Sequence, residues 1–139
     1  MSGERTSFLM RCLYDILPVK SRLNRLKVAN NANCELCIHG IEEDLPHALL
    51  GCEYNGFVND WIVAVLIDID PCLAEDNLNA ENIARLNIEI DDELMFPVVW
   101  FLSHVFEMIW NERKMRKPVS VTRIKACIGA EVNILKKTK

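Results

Sequence analysis

At 139 residues, half of them hydrophobic, the chain can bury a real core in one domain (residues 1–139), with a small subdomain at about 18–60 and a helical bundle completed by about 79–137. Six cysteines could suggest a secreted disulfide scaffold, but residues 1–6 are polar and the apolar run behind them is short and broken by Arg11 and Asp15, so a reduced, intracellular protein of the nucleus or cytoplasm is expected. The net charge of −4 hides a division into blocks: six Lys/Arg against two acids in residues 1–33, one Arg against seventeen acids in 34–112, and nine Lys/Arg against one acid in 113–139. Such asymmetry points to a polar partner or to docking of opposite faces.

Apolar spacing is helical throughout and strand signals are nearly absent, which predicts an all-α small bundle. Ser7 can cap a first helix over 8–17, with Leu9, Cys12, Leu13 and Ile16 on one face, and Pro18 closes it or opens the next. Residues 20–28 place Leu23 and Leu26 on one face and Arg22, Arg25 and Lys27 outside. The Asn-rich run 30–33 breaks the pattern and leads into a different kind of segment.

That segment reads Cys34-x2-Cys37-x9-His47-x4-Cys52. Its ligand count and spacing match a closed tetrahedral zinc site. The first pair fits a tight turn, and His47 and Cys52, five positions apart, can meet one metal if a helical turn loosens near its end. Four protein ligands leave no open position for water, so the metal is expected to be structural. His39 is the spare ligand, set aside because it crowds Cys37. The remaining cysteines, Cys12, Cys72 and Cys127, stand singly in apolar stretches and read as reduced core residues.

Pro46 suits the first turn of a short helix carrying His47, with Leu45, Leu49 and Leu50 packing it onto the core. Residues 57–67 predict a helix with Trp61, Ile62 and Val65 inward. Residues 68–79 form an acidic loop around Pro71, and Asn79 can cap a short helix through 86. Asp91 or Asp92 can cap a long helix to about 116, with Pro97 in its early turns. It is apolar nearly all round, so it is either central to a bundle or buries its second face against a partner. Ser103 and His104 interrupt it, so no membrane span and no membrane partner are expected. Pro118 stops it, and Ser120 caps a last helix carrying Val121, Ile124, Ile128 and Leu135; the basic tail 136–139 is expected to fray.

Three segments together resemble a known family. Leu17-Pro18-Val19-Lys20-Ser21-Arg22-Leu23 is similar to the LPTKxRL segment ahead of the zinc ligands at the C-terminus of non-LTR retrotransposon polyproteins. Cys34-Glu35-Leu36-Cys37 with Glu43-Asp44-Leu45-Pro46-His47-Ala48-Leu49-Leu50-Gly51-Cys52 resembles their CxxC…ETxxHLLxxC core, with Asp44 where the family has Thr. Ile109-Trp110-Asn111-Glu112-Arg113 looks like the IWxxR helix that often follows. The resemblance covers most of residues 10–115. It implies a zinc-binding module that follows a reverse transcriptase domain and helps engage RNA or DNA. Only Cys34, Cys37, His47 and Cys52 carry over as functional residues. A reverse transcriptase domain does not fit in 139 residues, so a fragment or free-standing derivative is expected.

Two binding functions follow. Phosphate contact needs clustered cations, and the candidates are Lys20, Arg22, Arg25 and Lys27 beside the metal loop and Arg113, Lys114, Arg116 and Lys117 at the end of the long helix. The loop itself carries Glu42, Glu43 and Asp44 and lacks aromatics, so it is expected to fix the basic helix of residues 18–28 against the bundle, not to read bases. The alternative is assembly, as a homodimer or with a protein partner, through Phe96 and Trp100, with the charge blocks setting the pairing. A metal-dependent nuclease is set aside: Lys is absent between Cys34 and Arg113, and the strands that would present paired acids are missing. No catalysis and no small-molecule substrate are expected.

Overall fold

The helical periodicity is realised as an all-α fold in the computed structural model, which describes residues 17–37, 39–73 and 77–128. The predicted helix over 8–17 with Cys12, and Leu135 with the basic tail, lie outside the described residues. The β pairing among the described residues is a single antiparallel bridge between Asn33 and Glu42.

Helix α1, Lys20–Arg25, is shorter than the predicted 20–28. Lys27 turns into a left-handed conformation (φ 63°), and the Val28 N–H returns to the Leu23 carbonyl at 2.8 Å. This is the usual way a helix satisfies its last carbonyls. The early stop leaves Leu26 55% exposed, outside the core where the spacing placed it. No residue of α1 is buried, so the helix is held by polar contacts at its start.

A one-turn helical segment over Leu45 and Pro46 continues as a π-helical turn, His47–Gly51. Asp44 begins it, its Oδ1 accepting the His47 N–H at 2.9 Å and its carbonyl the Ala48 N–H at 3.0 Å. Pro46 costs nothing there, because the first N–H groups of a helix have no internal partner. Leu45, Ala48, Leu49 and Leu50 are buried as their spacing predicts, and the turn packs against all three longer-range neighbours α2, Val58–Ile69, α3, Ala80–Ala84, and α4, Asp92–Lys114.

On α2, Val58, Ile62, Val65, Leu66 and Ile69 form a buried stripe, and Trp61 meets Phe101 edge to face at 5.5 Å. Asn79 caps α3 as predicted, its Oδ1 accepting the Asn82 N–H at 2.9 Å. Asn79→Ala should lower stability by about 1 kcal/mol, read as a shifted urea midpoint with an unchanged slope.

Helix α4 buries Val98, Phe101, Leu102, Val105, Phe106 and Ile109. By length and composition it could cross a membrane, which corrects the expectation that Ser103 and His104 break the apolar run. Ser103 is accommodated because its hydroxyl donates to the Trp100 carbonyl at 2.9 Å, and His104 meets the Trp100 ring edge to face. In this fold 44% of that apolar stretch is buried inside the protein. A last helical segment, 121–128, starts at Ser120, whose Oγ accepts the Arg123 N–H at 3.3 Å, and buries Ile124 and Ile128. Cys72 and Cys127 are exposed, not core as their apolar neighbours suggested. Cys72 follows the end of α2 in a turn, and Cys127 falls on the outer face of the last helical segment.

Candidate metal centre

Cys34 and Cys37 sit on a turn closed by the Asn33–Glu42 bridge, with the Cys34 N–H bonded to the Ile41 carbonyl at 2.8 Å and Glu43 N–H to Ala32 at 2.8 Å. Gly40, at φ 64°, lets the chain reverse before Glu42. The other two ligands flank the π-helical turn. In an α-helix, residues five apart point about 140° away from one another. The π turn removes that obstacle: the Cys52 N–H bonds to the His47 carbonyl at 2.9 Å, one residue further than an α-helix allows, and both side chains face the Cys34–Cys37 turn.

The four ligand atoms of Cys34, Cys37, His47 and Cys52 lie within 4.8 Å of one another. Cys34 Sγ and Cys52 Sγ are 3.8 Å apart, and Cys37 Sγ and His47 Nε2 are 3.6 Å apart. A disulfide needs about 2.05 Å, so these are thiols grouped without a bond. The set can hold a metal ion. His39 stands outside it and pairs with Glu53 instead.

The electrostatics around the donors are uneven. Burial pushes the Cys52 thiol up to about 11. Burial acts in the same direction on Cys34, but the backbone N–H groups of Cys37 and Leu36, together with Arg113, outweigh it and hold that thiol below its usual range. Burial, and then the Arg113 charge, hold His47 below its ordinary value, which keeps the imidazole neutral and able to donate a lone pair.

Arg113 is where the structure departs most from the sequence reading. Predicted as a phosphate contact, it is 4% exposed and lies in the core. The reason is helical period: Val98, Phe101, Val105 and Ile109 descend the buried face of α4, and Arg113 is one turn further along that face. Its Nη2 donates to Glu43 Oε2 at 2.7 Å and to Cys34 Sγ at 3.4 Å, and its Nη1 donates to Asn55 Oδ1 at 2.9 Å. Tyr54 lies under the guanidinium at 5.9 Å. Burial opposes the charge, but Cys52, Cys34 and Glu43 more than compensate and the group stays cationic.

Glu43 passes the link on. Its Oε1 accepts the Lys20 N–H at 2.8 Å and its carbonyl the Ser21 N–H at 2.9 Å, so it satisfies the start of α1, which has no side-chain cap of its own. Asn55, fully buried, donates to the Ala48 carbonyl at 2.9 Å and so ties Arg113 to the π turn. These partners were not anticipated. Asn55 before Gly56 reads as a turn, and Glu43 reads as part of an acidic loop. The one available signal was Arg113 itself, which closes the Ile109-Trp110-x-x-Arg motif.

The other predicted cations remain at the surface. Arg25, Lys27, Lys114, Arg116 and Lys117 are exposed, and Lys20 and Arg22 half-exposed. Glu35, on the cysteine turn, joins the two basic segments: its Oε1 accepts from Lys20 Nζ at 2.9 Å and its Oε2 from Arg116 Nη2 at 2.8 Å. Lys20, then Arg116, hold its carboxyl below the usual range. Pro18, Lys20, Glu35, Trp110, Lys114 and Arg116 border a surface hollow of about 240 Å³, beside the Arg113–Glu43 pair. Of the two predicted interface residues, Phe96 is 68% exposed and Trp100 half-buried. Comparison with protein-family models, with curated proteins and with solved structures gives no match.

Proposed function

We propose that the chain is a non-catalytic zinc module, of the kind found at the C-terminus of non-LTR retrotransposon polyproteins, that presents a basic surface to RNA or DNA. The observation that carries the metal assignment is the spacing of the donors. Zinc bonds of about 2.3 Å to sulfur and 2.0 Å to nitrogen make tetrahedral edges of about 3.8 Å between sulfurs and 3.5 Å between sulfur and nitrogen. The separations of 3.8 Å and 3.6 Å agree with those edges. Three thiolates and an imidazole are soft donors suited to zinc, and a fully protein-ligated ion has a structural role. Asp44, where the family has Thr, caps the helix that carries His47, a role Thr can also fill.

Nucleic-acid binding rests on Glu35 drawing Lys20 and Arg116 together, with Lys114 beside them. Arg22, Arg25 and Lys27 follow Lys20 along the chain and Lys117 follows Arg116, as further exposed or half-exposed cations. A labelled single-stranded oligonucleotide should bind the zinc-loaded protein with a log–log salt slope of about −4, for about six phosphates neutralised. Absence of binding at low salt removes this reading. The assembly alternative is favoured by Phe96, which stands one helical turn from Trp100 on α4. A zinc-loaded dimer in solution, weakened by Phe96→Lys, would then be seen instead.

A further inference from the structure

We infer that Glu35 is a built-in occupant of the phosphate site: its carboxylate stands between Lys20 and Arg116 where a phosphodiester of a bound strand would sit, and binding displaces it. The inference rests on the nucleic-acid reading above and locates the contact within it.

A carboxylate held by one ammonium and one guanidinium offers two oxygens to two donors, which is also how a phosphate uses its two free oxygens. The two cations come from distant parts of the chain, one from the start of α1 and one just beyond the end of α4. The backbone that carries them is held independently of Glu35. The α1 start is bonded to Glu43, and the end of α4 is anchored by Arg113. Removing Glu35 therefore leaves both cations on fixed stretches of backbone, free to take a phosphate between them. Glu35 and Arg116 are both well exposed, so the ion pair is solvent-screened and its exchange for a phosphate costs little. Glu35 itself is 53% exposed, with solvent to move into. Lys114 lies on the same rim, and the hollow beside the pair leaves space for a sugar or a base. In a chain of net charge −4, such an occupant also favours a strand with regularly spaced phosphates over isolated anions, because only a strand adds the neighbouring contact to Lys114.

The test is a double-mutant cycle on the full zinc-loaded chain with a labelled single-stranded RNA as probe, zinc content being checked in every variant. Glu35→Gln keeps the shape and should raise affinity by about three- to tenfold at moderate salt. In a Lys20→Gln/Arg116→Gln background, where affinity is lower and the salt slope is shallower by about 1.4, Glu35→Gln should have no effect. A gain that persists undiminished in that background would mean a general charge effect and overturns the inference. So does an E35Q affinity equal to that of the unaltered protein, in which case the nucleic-acid reading stands. If neither the unaltered protein nor E35Q binds at low salt, both fail. Inorganic phosphate at millimolar concentration should not displace the RNA; displacement would show a free-anion site and overturn the strand assignment.

Discussion

Stripping the metal with a strong chelator should unfold residues 30–60 and lower the stability of the whole chain, because zinc binding of this kind contributes on the order of 10 kcal/mol to small modules. The size of the effect follows from what the ligands connect. Cys34 and Cys37 lie on a turn whose regular backbone support is a single bridge, and His47 and Cys52 flank a π-helical turn that packs on α2, α3 and α4. Without the ion, four donors are left facing one another in a largely buried space. Cys34→Ser should reproduce the loss, and Cys72→Ser and Cys127→Ser, both exposed, should retain one zinc per chain by elemental analysis. Circular dichroism and a melting curve unchanged by the chelator would contradict the structural role. Acid should act in the same direction. His47 has a folded pKa below its ordinary 6.5, so the unfolded chain takes up the proton first; its contribution is present above about 6.5 and is lost as the pH falls below that value.

Arg113→Met should cost about 3–5 kcal/mol even with zinc saturating, because it leaves the Glu43 carboxylate buried without its cation. Glu43 is 8% exposed and its other oxygen is committed to the start of α1. The double variant Arg113→Met/Glu43→Gln removes the unpaired charge and should recover most of that loss. A second effect is separate from the first. Arg113 also donates to Cys34, so zinc affinity should drop by about 10- to 100-fold in Arg113→Met and should not return in the double variant. Competition for zinc against a chromophoric chelator reads the affinity, and thermal melting at saturating zinc reads the stability. If Arg113→Met melts within about 1 kcal/mol of the parent, the buried pair is not what joins the long helix to the metal turn.

Much of the metal centre was legible in the chain because ligand spacing is local. The Cys-x2-Cys turn and the His-x4-Cys interval each fall within a few residues, so the members of each pair start close along the chain. The helices were legible for the same reason. Asn79 and Ser120 begin theirs as their side chains require, and the buried stripes on α2 and α4 follow the 3.6-residue period. The errors are equally physical. Leu26 matched the apolar spacing of α1, but Lys27 ends the helix before that spacing can act. Cys72 and Cys127 matched a core composition, yet a turn and an outer helix face expose them.

What only the tertiary structure decided is the meaning of the charges. In sequence, Arg113 is one more cation in a basic block and Glu43 one more acid in an acidic loop. Charge is a property of the residue, but whether it faces water or protein depends on which elements meet there. α4 delivers Arg113 to the back of the cysteine turn, where Glu43, Asn55 and Cys34 accept from its two terminal nitrogens. Lys20 and Arg116, with no such cover, are gathered at the surface by Glu35. The chain by itself determined the four candidate ligands and the helices packed around them. The packing of α4 against the cysteine turn decided which basic residue is buried beside the four donors and which stay at the surface, because a guanidinium can be buried only where enough acceptors from distant segments converge on it.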